Sequence, residues 1–102
     1  MHRKPTSPGE ILLEEFLVPL KLTQKELADH IGCDVKVINR IVNERCSVTA
    51  EMAVRLGAAL KISPDFWLNA QKSLDLYNAN IKMKNKLPKP ITAKRLQGIK
   101  AA

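Results

Sequence analysis

The sequence predicts an all-α fold, a compact bundle of five short helices followed by a basic tail, and three observations carry that prediction. Ser, Thr or Asp stands immediately before each of five apolar-rich runs, and Gly or Pro interrupts the chain after several of them. Within each run the apolar residues recur at steps of three and four, which places them on one side of a helix. No stretch combines strict apolar–polar alternation with the β-branched and aromatic residues that a strand favours. At 102 residues and 45% hydrophobic content the chain suits one domain with a real core and some length to spare.

Ser7-Pro8-Gly9-Glu10 reads as a capping box. The Ser hydroxyl accepts from the amide three residues on, Glu10 reaches back to the cap, and Pro8 costs nothing at the first helical position. Ile11, Leu12, Phe16 and Leu17 line one face, and Pro19 is expected to stop the helix. Thr23-Gln24-Lys25-Glu26 forms a second capping box, opening a helix with Leu27, Ala28 and Ile31 inward and Gly32 as its left-handed end. Asp34 caps a third helix, Val35 to about Asn43, that buries Ile38, Ile41 and Val42. Thr49 caps a fourth, with Glu51 in its positive first turn and Met52, Ala53, Leu56, Ala59 and Leu60 on its apolar side. Gly57 inside it is expected to mark a close helix–helix contact. Ser63-Pro64-Asp65 begins a fifth helix that runs to about Ile81, and Lys-Leu-Pro-Lys-Pro ends any helix beyond it. The expected organisation is an arm over residues 1–6, a folded domain over 7–81 and a flexible basic tail over 82–102.

Charge is segregated along this plan. The chain holds 17 Lys/Arg against 10 Asp/Glu, a formal net charge of +7. Every acid lies before residue 82, where 10 basic residues balance them. The excess is entirely in Lys82, Lys84, Lys86, Lys89, Lys94, Arg95 and Lys100. A basic tail can simply be solvated, so any argument for nucleic-acid recognition must come from the folded body. Cys33 and Cys46 lack CxxC spacing, and His2 and His30 are far apart, which leaves too few ligands for zinc and predicts no cofactor. The basic N-terminus leads into Thr-Ser-Pro-Gly-Glu instead of an apolar core, and no apolar run reaches bilayer length, so the expected location is the cytoplasm, at the nucleoid. No nucleophile–base constellation or phosphate-cradling loop is present, and Glu14-Glu15, adjacent on a helix, diverge. An enzyme is not expected.

The stretch TQKELADHIGCDVKVINRIVNER is two short helices about a Gly-containing turn, the arrangement in which one helix braces a second and presents it to a groove. On the second helix Ile38, Ile41 and Val42 face inward, while Lys36, Asn39, Arg40 and Asn43 recur at i, i+3, i+4 and i+7 on the other side. Lys or Arg suits guanine O6 and N7, and Asn suits adenine N6 and N7. Val35 and Val37 either touch thymine methyl groups or are partly buried. Thr23 and Gln24 at a helix N-terminus, with Arg45 and Thr49 on the other flank, are candidates to grip phosphates.

From Ser7 to about Tyr77 the chain resembles the HigA-type antitoxins, also described as virulence-associated protein I, within the Xre/Cro-like (lambda-repressor-like) helix-turn-helix superfamily. The segments SPGEILLEEFLVPLKLTQKELA, INRIVNERCSVTAEMAVRLGAAL and SPDFWLNAQ carry the resemblance, in the family's order. It implies a five-helix DNA-binding domain, usually dimeric, that represses its own operon. It also implies neutralisation of a HigB-type toxin, an mRNA-cleaving RNase. The recognition helix maps onto Asp34–Asn43, with base-contacting positions at Val35, Lys36, Asn39 and Arg40. Where the family commonly has Gly after that helix, this chain reads Asn43-Glu44-Arg45, and Asn43 is expected to take the left-handed conformation. A regulator without a toxin, and an interaction module without DNA binding, remain open as alternatives.

The segment SPDFWLNAQKSLDLY holds three of the four aromatic residues. Trp67, Ala70, Leu74, Tyr77 and Ile81 form a stripe along the fifth helix, with Phe66 and Leu68 expected to anchor that helix to the body. The stripe reads either as the interface of a homodimer bound to a palindromic operator or as intramolecular core.

Overall fold

A computed structural model describes residues 3–98. Met1 and His2 of the arm, and residues 99–102 of the tail with Lys100, lie outside the described residues. The described residues form no strand. The first helix, α1, is continuous over residues 8–20 but changes pitch: an α-helical turn Pro8–Ile11, a π-helical stretch Leu12–Leu17 and a last turn Val18–Leu20. It is followed by α2 (Gln24–Ile31), α3 (Val35–Val42), α4 (Ala50–Leu60) and α5 (Pro64–Lys82), with a short α6 (Ala93–Leu96) in the tail.

The side chains before each helix act as caps. Ser7 Oγ accepts from the Glu10 amide at 3.0 Å, Asp34 Oδ1 from Lys36 at 2.8 Å, Thr49 Oγ1 from Met52 and Ser63 Oγ from Asp65, both at 3.2 Å. At Thr23 the box is complete: its hydroxyl accepts from the Glu26 amide at 3.0 Å, and its own amide donates to Glu26 Oε1 at 2.9 Å. The Ser7 box is only half made, because no return bond joins Glu10 to the Ser7 amide.

Two expectations about helix ends are corrected. Pro19 does not stop α1. The π stretch widens the helix just upstream, where the Val18 amide donates to Leu13 O, and the helix closes at Lys21 in the left-handed conformation. A wider turn relieves the clash between a proline ring and the carbonyl four residues back. Nor does Asn43 adopt the left-handed conformation. Glu44 does, at φ 57°, with Glu44 N–H donating to Ile41 O and Arg45 N–H to Arg40 O. That is the paired bonding of a Schellman end, which requires the residue after the cap, not the cap itself, to turn left-handed.

The core joins Leu12 and Leu17 of α1, Leu27, Ala28 and Ile31 of α2, Ile38 and Ile41 of α3, Met52, Ala53 and Leu56 of α4, and Trp67 of α5, with Val48 from the loop. Gly9 permits the tightest approach. A Cβ there would lie 2.7 Å from the Ile41 carbonyl carbon and 2.9 Å from Val42 Cα. Gly57 marks the close approach of α4 to the start of α5: a Cβ there would meet Ile62 O in the turn at 2.5 Å and Pro64, the first residue of α5, at 3.2 Å.

The aromatic stripe divides. Trp67 is 0% exposed, with Phe16 at 5.6 Å and Phe66 edge-on at 5.3 Å between ring centroids. Leu74 is 7% exposed. Trp67 is spent on the monomer's own core, which corrects its place in the interface, and Leu74 is nearly all buried against the body. Phe66, expected as an anchor, is 40% exposed, whereas Leu68 does pack on the core. Ala70 and Tyr77 are half-buried and Ile81 is 58% exposed, because α5 outruns the body it packs on.

Accepting the Thr23 amide and hydroxyl holds the Glu26 carboxyl below its ordinary value of 4.5. A carboxyl lowered on folding stabilises the fold above its unfolded pKa and loses that contribution as pH falls through the folded one. Glu26→Gln keeps a hydrogen-bonding cap but not the charge. Urea titrations should find wild type more stable than this variant at pH 7, with the two converging below pH 4.5. A gap that is constant with pH would contradict the assignment.

Candidate nucleic-acid interface

On α3 the apolar and polar faces separate as helical geometry dictates. Ile38 and Ile41 are buried, Val37 and Val42 pack on the core, and Val35, Lys36, Asn39 and Arg40 are exposed. Val35 and Val37 thus have different roles, the first at the surface and the second against the core. Val35, Lys36, Asn39 and Arg40 line one concave groove of about 600 Å³ with Gln24, Arg45 and Cys46. Three cations, two amides and a valine converge there, and no carboxylate lines it among the described residues.

Several positions are coupled in ways that spacing alone does not reveal. Asn39 Nδ2 donates to Gln24 Oε1 at 3.2 Å across fifteen residues of sequence, tying the first turn of α2 to the exposed face of α3. Gln24 therefore belongs to the groove itself and not only to its flank. The pair leaves Asn39 Oδ1 as an acceptor beside the remaining amide donors, the complement of an adenine edge. Asn43 differs from the other polar residues of α3. It lies outside the groove, and its Nδ2 donates to the Asn39 carbonyl at 2.9 Å, closing the helix end. In the free protein it therefore acts as a capping residue, exposed but apart from the groove.

The flanking candidates are distributed unevenly. Arg45 is exposed and lines the groove. Both the amide and the hydroxyl of Thr23 are engaged with Glu26, so of the two candidates at that helix start Gln24 is the one with donors left to offer. Thr49 is exposed and lies outside the groove, its hydroxyl oxygen engaged as the α4 cap.

Arg55 was not expected from the sequence, yet it holds the turn between the two helices. Its Nη1 donates to Ile31 O at 2.6 Å and to Gly32 O at 3.1 Å, while Nη2 bonds Glu51 Oε1 at 3.0 Å. The carbonyls at the end of a helix have no partners within it, and a guanidinium satisfies two at once. The only sequence trace was the i,i+4 pairing of Glu51 with Arg55. Gln71 was also missed. It accepts from the Val48 amide at 2.9 Å and pins the α3–α4 loop, the segment that carries Arg45.

Cys46, at the groove edge, is exposed, while burial pushes the Cys33 thiol above its ordinary value and keeps it protonated. Among the described residues no group of His, Cys, Asp or Glu could hold a metal ion, and no helix is long and apolar enough to cross a membrane.

Comparison with known proteins places this geometry in context. The helix-turn-helix family (HTH_3) matches residues 13–67, which contain all of α2, α3 and α4. An uncharacterised HTH-type transcriptional regulator of Haemophilus influenzae is 46% identical over 78 residues, covering 76% of this chain and 73% of the relative. Antitoxin HigA-1 of Vibrio cholerae is 41% identical over 76 residues, covering 74% and 71%. The structure of Pseudomonas aeruginosa antitoxin HigA with the higBA promoter superimposes with a TM-score of 0.77 at 35% identity, covering 86% of this chain and 99% of that one.

Proposed function

Since the chain belongs to the helix-turn-helix family that its HigA antitoxin relatives share, we propose that it is a transcriptional repressor that reads an operator with the exposed face of α3. Its relatives are named as regulators and antitoxins, and the chain is likewise a regulator and not an enzyme. One observation carries the reading: Val35, Lys36, Asn39 and Arg40 share an acid-free groove with Gln24 and Arg45, on a helix whose other face is locked in the core. Arg40 and Lys36 donate to guanine O6 and N7, Asn39 with Gln24 meets an adenine edge, and Val35 offers an apolar contact to a thymine methyl. Arg45 and the Thr49 hydroxyl, with Gln24 beside the Glu26-bound Thr23, serve the phosphates on either side.

A single α3 reaches few bases, so the repressor acts as a homodimer on a palindromic operator with half-sites about 34–36 Å apart. With Trp67 in the core and Leu74 nearly all buried, the pairing surface is the remainder of the stripe, Ala70, Tyr77 and Ile81. The antitoxin names among its relatives support a partner for the same chain, a HigB-type mRNA-cleaving toxin encoded beside it, with the operon under the repressor's own control. A regulator without a toxin is the second reading, favoured by the relative from Haemophilus influenzae that carries only a regulator's name. The neighbouring genes separate the two.

Mobility-shift titration against the chain's own promoter and a random duplex tests the operator reading. Wild type should prefer the promoter. Arg40→Ala should cost about 1–3 kcal/mol, roughly 5- to 150-fold, on the promoter alone. An equal loss on both duplexes would assign Arg40 to a phosphate, and no preference by wild type would overturn the repressor reading. For the dimer, sedimentation of Tyr77→Glu/Ile81→Glu should show a folded monomer. A variant that remains dimeric would place the interface elsewhere.

A further inference from the structure

The groove does not use the most charged part of the chain. Every described cation beyond residue 81 (Lys82, Lys84, Lys86, Lys89, Lys94 and Arg95) is exposed, and among the described residues none is held in an ion pair. The last carboxylate side chain in the sequence is Asp75. Such a run is simply solvated unless it lies where a polyanion would pass, so its position decides what it can do.

Gln71, Asp75 and Asn78 of α5 line a cleft together with Glu44, Arg45, Cys46 and Ser47 of the α3–α4 loop. Arg45 and Cys46 line both this cleft and the α3 groove. Lys82 follows Asn78 by four residues, one turn further along the same face of α5. The end of α5 that leads into the tail therefore continues the face that borders Arg45. The molecule measures 58 × 28 × 22 Å with a radius of gyration of 18.0 Å. A compact chain of this length would have about 13 Å. The end of α5 and the tail project from the body, within reach of a surface that the body has docked on.

The residue types fit a backbone contact better than a base contact. Five of the six cations are lysines, point charges on flexible stems, spaced two, two, three and five residues apart. Pro88 and Pro90 keep the segment between α5 and α6 from coiling up. A duplex offers one negative charge per about 1.7 Å of axis, so lysines at irregular spacing find phosphates in any register. A membrane surface is a poorer match, since α6 is only 4 residues long and supplies no amphipathic helix.

We propose that the segment from Lys82 to Arg95 is a second, sequence-independent nucleic-acid contact, a cationic strap that grips duplex phosphates beside the site read by α3. The proposal rests on the operator reading above. Because the body is formally neutral, the strap also supplies essentially the whole long-range attraction for DNA. It raises affinity for every duplex equally and leaves the choice of sequence to the groove.

The test compares the full chain with Lys82→Gln/Lys84→Gln/Lys86→Gln/Lys89→Gln, which keeps the tail's length and leaves the groove untouched. Affinity is measured for the promoter duplex and a random duplex at salt concentrations from about 50 to 200 mM. The plot of log affinity against log salt should become shallower by about 3 to 4, near 0.9 for each phosphate no longer neutralised. Affinity at the lowest salt should fall at least tenfold on both duplexes, with their ratio unchanged. An unchanged slope would overturn the strap and leave the charge for an acidic protein partner. A loss confined to the promoter would overturn its sequence independence. If wild type does not discriminate between the duplexes, the operator reading fails, while the slope still decides whether the tail binds phosphate.

Discussion

The backbone of α1 at Gly9 lies directly against the Ile41 carbonyl and Val42 Cα at the end of α3, closer than any side chain would allow. That contact sets how closely α1 and the end of α3 can approach. Ile38 and Ile41 fill the core from one side of the helix, and the other side is left facing outward with Lys36, Asn39 and Arg40. At the opposite end Arg55 donates to the carbonyls of Ile31 and Gly32, fixing the turn from which α3 departs. A reading helix must be placed to within a fraction of an ångström for amides and guanidinium groups to meet base edges. Both ends of α3 are held by groups outside the face proposed to read bases.

The same economy explains the aromatic cluster. Trp67 closes the bundle against Phe16, and the π-helical stretch of α1 is the segment that carries Phe16 to that position. Burying the indole commits the first half of α5 to the body. The second half, past Leu74, has nothing of its own chain to cover and exposes Leu76, Ile81 and Met83. One helix of about 28 Å therefore serves two purposes in succession. It first completes a core, then extends beyond the body with an apolar surface exposed and leads into the basic tail.

Much of this was legible in the sequence because the signals were local. Ser7, Thr23, Asp34, Thr49 and Ser63 each cap the helix they precede, and the inward and outward faces of α3 follow from residue spacing alone. The features that escaped are those in which distant residues meet or in which register shifts. Pro19 looked like a stop because a change from α to π pitch leaves no trace in composition. Glu44 in a left-handed conformation could not be separated from Asn43 without knowing where the Schellman bonds fall. The Gln24–Asn39 and Arg55–Ile31 bonds span fifteen and twenty-four residues and depend on how helices pack. Likewise, the periodicity that joined Trp67 to Ile81 describes a helix face but does not say how far the body extends beneath it.

The central claim is that close backbone contact between α1 and α3 seats the reading face, and Gly9→Ala tests it most directly. The added methyl has no room, so α3 must shift, at a cost typical of overpacking, about 1–3 kcal/mol. The measurements are urea stability and the ratio of promoter to random-duplex affinity on the folded protein. The account predicts a less stable chain whose preference for the promoter collapses while its affinity for random duplex persists. A variant with wild-type stability and wild-type discrimination would contradict it.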